Sequence, residues 1–94
     1  MPPQNTTKVE GEKLIFPCEW RALPSNATVV WYRDGIPVRH ISSLETRIET
    51  PPNGNLIVNP VKADDSGFYE CRVSNGIGGT QSAVAYLNVE CEYS

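Results

Sequence analysis

Three cysteines, one histidine and a pair of adjacent aspartates are the residues of this chain that could do covalent, metal or proton-transfer chemistry. His40 is the only imidazole, and neither a cysteine nor a carboxylate stands at ligand spacing from it. No nucleophile sits around it in a recognisable setting, so a catalytic site has little support and no residue is assigned as catalytic. No metal or cofactor is expected either. A solvent-facing residue on a short edge strand is the expected place for His40. Asp65 and Asp64 stand just before an alternating run, Gly67 to Asn75. In that run Tyr69, Cys71 and Val73 share one face of a strand, and Phe68, Glu70 and Arg72 share the other.

Cys18 lies 53 residues before Cys71 in another alternating run, with Trp31 between them. The Asp65-Ser66-Gly67-Phe68-Tyr69-Glu70-Cys71 motif, taken with Cys18 and Trp31, resembles an immunoglobulin sandwich. That resemblance implies an all-β, two-sheet Greek-key fold of the intermediate type (I-set), with one inter-sheet disulfide between Cys18 and Cys71. Trp31 would pin the core against that disulfide, and the Tyr69 hydroxyl would return to backbone as a tyrosine corner. Asp65 is expected to accept from Arg47 across the base of the sandwich, with Asp64 the more exposed of the two. Cys91 lies beyond the last strand pattern and reads as an unpaired thiol, or as one half of an intermolecular bridge.

The elements that must position these groups are legible as short alternating runs. Leu14, Phe16, Cys18 and Trp20 share a face, with Trp20 expected to cap the core. Leu23-Pro24-Ser25-Asn26 is a turn, and Thr28 to Arg33 is a strand with Val29 and Trp31 inward. Asp34-Gly35 is a hairpin signal, and Ile36 to His40 the predicted returning strand. Ile41 to Glu45 has no clear period and is expected to climb back across the sandwich. Arg47 to Thr50 is a short strand stopped by Pro51-Pro52-Asn53-Gly54. Leu56 and Val58 point inward, followed by Val61 as the plug of a corner. Asn75-Gly76-Ile77-Gly78-Gly79 is a glycine-rich hairpin leading into Thr80 to Glu90. No helical period is present. An A/B/E/D sheet facing an A′/G/F/C/C′ sheet is the expected arrangement, with the chain ends at opposite poles, as in a string of domains.

Ninety-four residues make one domain, expected over 1–90, with 91–94 an extension or the start of a linker. Eight basic residues against 11 acidic ones give a net charge of −3, and the basic residues are scattered. That balance argues against a nucleic-acid or anionic-membrane surface. No apolar run is long enough to cross a bilayer, and Met1-Pro2-Pro3 reads as an initiator on an excised fragment. Any membrane anchor of the parent chain is therefore expected outside this stretch. Two N-glycosylation acceptors appear, Asn5-Thr6-Thr7 and Asn26-Ala27-Thr28.

The outward face of the predicted sheet carries Val30, Tyr32, Phe68, Val84 and Tyr86, crossed by Glu70 and Arg72. Aromatics with an arginine match the composition of protein contact surfaces, and equally of cross-strand pairing within a sheet. Ile77, at the tip of the glycine-rich hairpin, is the further candidate contact. Six residues thus make the candidate surface: Tyr32, Phe68, Arg72, Ile77, Val84 and Tyr86.

Val38 to Leu44, Arg47, Gly54-Asn55-Leu56, Asp64 to Gly67, Ser74 to Gly78 and Ser82 to Leu87 resemble a domain of the Turtle-type neuronal receptors, a group that includes Borderless. The likeness covers nearly the whole chain and rests most on His40-Ile41-Ser42 and Ser82 to Leu87. It implies a module from the extracellular side of a single-pass receptor that acts in adhesion and recognition during dendrite, axon and synapse development. Its partner would be a protein, with the same receptor on an opposing cell as one candidate, and no small-molecule substrate. The competing expectation is an intracellular muscle-type immunoglobulin module, acting as a spring or scaffold with Cys18 and Cys71 reduced.

Overall fold

Strict alternation in Gly67–Ser74 builds the central strand, here β7: Gly67, Tyr69, Cys71 and Val73 are buried, and the residues between them are partly or fully exposed. A period of two does this because successive side chains leave a strand on opposite faces. The computed structural model describes residues 2–18, 27–74 and 80–91. On one side of β7 lies β3 (Thr28–Arg33) and on the other β8 (Thr80–Glu90), both antiparallel to it. β1 (Thr6–Val9) joins the outer edge of β8 in parallel, and β4 (Ile36–Pro37) joins β3, giving the order β1-β8-β7-β3-β4. The facing sheet is β2-β6-β5, formed by Leu14–Phe16, Leu56–Val58 and Ile48–Glu49.

Between the layers Phe16 stacks on Trp31 with ring centroids 6.0 Å apart and tilts against Tyr69 at 5.6 Å. Leu14, Leu56, Val58 and Leu87 fill the space around them, each at most 1% exposed. Each such aliphatic side chain contributes roughly 1.5–3 kcal/mol on leaving water. Val61 closes one end, also buried.

Three expectations need correction. The returning strand predicted over Ile36 to His40 stops after Pro37, and Val38–His40 forms a 3-10 turn instead. Pro37 has no N–H with which to extend the ladder, and on the turn that follows Val38 is buried in the core at 2% exposed. His40 therefore sits on that turn, exposed, and not on an edge strand.

Second, the connection from Ile41 to Glu45 contains one helical turn, α1 (Ser42–Glu45), which buries Leu44 completely. One turn is too short to leave a helical period in the sequence. Third, among the described residues the second sheet has three strands and no A strand. The chain before Thr6 follows β8 instead, with the Tyr86 N–H donating to Asn5 Oδ1 at 2.8 Å. Pro2 and Pro3 have no N–H to give a ladder, which disfavours a regular strand there. The turn at Leu23 to Asn26, the cap at Trp20 and the hairpin at Asn75 to Gly79 lie outside the described residues.

Candidate functional site

Two clusters carry the residues singled out by sequence. The first lies inside and beneath the sandwich. Cys18 and Cys71 form a disulfide between the sheets with Cα atoms 6.3 Å apart, and neither is exposed. Trp31 is in register with Cys71 on the neighbouring strand, and its indole N–H donates to the Gly54 carbonyl at 2.9 Å. The sequence reading gives Gly54 no structural role beyond ending a strand. The fold requires it: its φ is +91°, and a Cβ there would come within 2.9 Å of the Cys18 carbonyl oxygen. The Pro51-Pro52-Asn53-Gly54 turn was the signal available for it.

Beneath the core, the Tyr69 hydroxyl donates to the Asp65 carbonyl at 2.6 Å. Burial raises the Tyr69 phenol well above the ordinary tyrosine value, and the Asp65 carboxylate adds to the shift. The fully buried Asp65 carboxylate accepts from Arg47 in a fork, Nη1 to Oδ2 at 2.7 Å and Nη2 to Oδ1 at 2.9 Å. Lys62 N–H adds a third bond to Oδ2 at 2.7 Å. Arg47 also donates to the Pro60 carbonyl at 2.6 Å and to the Ser43 carbonyl at 2.7 Å. Its guanidinium is held above its ordinary value, first by the hydrogen bond to Asp65. With donors and acceptors matched this fully, the pair can staple the base of the fold but has no free base to offer a substrate. Asp64 is exposed, and its carbonyl accepts from Arg33 Nη1 at 3.0 Å.

The remaining chemistry-bearing residues do not converge. Cys91 is a free, exposed thiol just past β8. Among the described residues no three of His, Cys, Asp and Glu gather as metal ligands. A groove of about 330 Å³ runs along the open edge beside β4, lined by Val29, Trp31, Pro37, Val38 and Thr50 among others.

The second cluster is the outward face of the larger sheet. Phe68 is 57% exposed, Val84 56%, Val30 37% and Tyr86 37%. Phe68 and Tyr86 are in register and meet edge to face at 4.9 Å between centroids. Toward β3, the Arg72 guanidinium lies 4.1 Å from the centroid of the Tyr32 ring and reaches Glu70 Oε1 at 3.2 Å. That hydrogen bond to Glu70 holds the Arg72 guanidinium above its ordinary value. The face thus splits into an uncharged ring pair on β7 and β8 and a charged aromatic cluster on β3 and β7. Ile36, 50% exposed, is not part of this face: it is in register with Arg33, which pairs with Tyr69 on the core side of the sheet. Ile77 and Asn26 lie outside the described residues. Asn5 is exposed beside Tyr86.

Comparison with known proteins adds to this geometry. A family model described as "Immunoglobulin domain" matches residues 1–75. Protein turtle of Drosophila melanogaster is 60% identical over 90 residues, which is 96% of this chain and 6% of that protein. Protein borderless of the same organism is 37% identical over 90 residues, 96% of this chain and 12% of its own length. The chain therefore spans a small part of those relatives. Among solved structures, the Ig-like domain of human leucine-rich repeat-containing protein 4 superposes with a TM-score of 0.78 at 30% identity, covering 99% of this chain and 86% of that one.

Proposed function

This chain belongs to the immunoglobulin domain family, and from that premise we propose that it is an extracellular recognition module of a neuronal cell-surface receptor of the Turtle and Borderless type. Its parent is anchored in the plasma membrane by a segment outside this stretch, and residues 91–94 begin the linker that follows a domain of residues 1–90. The module binds a protein partner, with the same receptor on an opposing cell as the candidate, through the outward face of its larger sheet. The similarity to Protein turtle along 96% of the chain carries this reading. The exposed aromatic residues and the Arg72–Tyr32 contact support the choice of surface.

The disulfide between Cys18 and Cys71 supports an oxidising compartment over the intracellular scaffold alternative. The internally matched Arg47–Asp65 pair supports a binding role over a catalytic one. Arginine and tyrosine at the centre of an interface are the residue types that most often dominate its energy.

Cell aggregation by the full-length receptor tests the reading. Replacing Tyr32→Ser together with Arg72→Ala is expected to reduce aggregation severalfold while the thermal midpoint of the domain moves little. Aggregation at the parental level would overturn the contact surface and leave the domain a spacer between other modules.

A further inference from the structure

We propose that Asn5 carries an N-linked glycan whose first N-acetylglucosamine lies on the Tyr86–Phe68 ring pair, so that sugar covers the β8 edge of the outward face and protein meets only its β3 side. This rests on the extracellular reading above, since the acceptor Asn5-Thr6-Thr7 is used only in the secretory route.

The orientation of the Asn5 amide is what makes the site specific. A backbone N–H can only donate, so the atom facing Tyr86 N at 2.8 Å is the carbonyl Oδ1, and Nδ2 lies at the other end of the amide. Transfer of the oligosaccharide joins Nδ2 to the anomeric carbon of a lipid-diphosphate-linked donor. The carbon–oxygen bond to the diphosphate breaks, its electron pair leaves on the phosphate oxygen, and Nδ2 releases one proton. Oδ1 is untouched, so the bond from Tyr86 N–H survives and continues to hold the linkage against β8.

Register then sets what the sugar meets. Thr6 is paired with Leu87 and Thr7 with Asn88, so Asn5 falls beside Tyr86, one position before the first paired residue. Leu87 points into the core and Tyr86 out of it; the alternation carried back puts Asn5 on the outward side with Tyr86. Neighbouring strands lie roughly 4.8 Å apart. A lateral row therefore runs from Asn5 to Tyr86 to Phe68, the last two in register and both open to solvent.

A pyranose ring presents a face of C–H groups that carries partial positive charge, and aromatic faces are negative. The row from Asn5 to Phe68 holds no charged side chain. Glu70 and Arg72 lie further along β7, opposite Tyr32 and Val30 of β3. An uncharged sugar matches the first patch, and a charged protein surface matches the second.

The test is to secrete the full 94-residue chain from animal cells, map its peptides by mass, and trim the glycans to a single N-acetylglucosamine. Proton spectra of the trimmed protein then read the acetyl methyl and ring protons of the sugar. Expected are glycan mass on the Asn5 peptide, abolished by Thr7→Ala, and sugar signals shifted upfield by the rings with cross-peaks to Phe68 and Tyr86. In Phe68→Ser and Tyr86→Ser those shifts should shrink toward free-sugar positions while the mass remains. An unmodified Asn5 in secreted protein with its 18–71 disulfide closed would overturn the site and leave the extracellular reading standing. A glycan with unshifted signals in the parent chain would overturn the packing. Protein retained in the cell with both of those cysteines reduced would overturn the extracellular reading, and the glycan with it.

Discussion

At the scale of single residues, Arg47 and Asp65 show what a matched charge pair does at the base of this fold: a carboxylate removed from water is held by three hydrogen bonds. Taking away one member of a buried pair leaves the other charged and unmatched. Asp65→Asn is therefore expected to cost roughly 3–5 kcal/mol, read as a lower urea midpoint with an unchanged slope. Tyr69 makes a separate prediction. Its folded-state value is raised, by burial and then by Asp65, so the fold favours the neutral phenol. That contribution is complete below the ordinary tyrosine value of about 10 and is lost as pH rises toward the higher folded value. Stability should fall from about pH 10 upward. Tyr69→Phe should flatten that alkaline decline while costing about 1 kcal/mol near neutrality for the lost bond to the Asp65 carbonyl. Denaturation at pH 8 and 11 compares the two.

At the scale of elements, the turn between β5 and β6 matters more than its place in a loop suggests. Gly54 and Gly35 both have positive φ, +91° and +86°, but only Gly54 faces a backbone oxygen closely; a Cβ at Gly35 meets nothing within 4 Å. Gly35→Ala should carry only the conformational cost of about 1 kcal/mol. Gly54→Ala should cost more, roughly 1–3 kcal/mol, and should disturb the indole that donates to its carbonyl. Trp31 fluorescence alongside the melting temperature of each variant checks the order. Equal costs would mean the turn shifts freely away from Cys18. The 3-10 turn at Val38–His40 and the single turn of α1 work the same way. Each is a departure from regular pairing that delivers one apolar side chain, Val38 or Leu44, to the core.

For the whole molecule, the disulfide bounds stability. Its loop spans 53 residues, and loop-closure entropy puts the stabilisation at about 4 kcal/mol, a large part of the total for a domain this small. Replacing both Cys18 and Cys71 by alanine should lower the unfolding free energy by about that amount; a near-neutral effect would mean that packing of Trp31 and Phe16 suffices. The same sandwich leaves its larger sheet open on the outward side. That face is then available for two occupants with different chemistry, protein over Tyr32 and Arg72 and sugar over Tyr86 and Phe68.

Local regularity is what made part of this legible without coordinates. Alternation in Gly67–Ser74 needs only neighbours two apart, so the inward set of Tyr69, Cys71 and Val73, the outward set of Phe68, Glu70 and Arg72, and the hairpin at Asp34-Gly35 could all be read directly. The partners of Arg47 and Tyr69 followed from a familiar arrangement of such strands. Whether Val38 turns inward, which strand the first residues follow, and which carbonyl receives the indole N–H were decided in three dimensions. Those choices depend on groups distant in sequence, such as Asn5 and Tyr86 at 81 positions apart. Their contacts become favourable only once the sheets have packed, because burial and hydrogen bonding reward the position of a side chain in space and not its place in the chain.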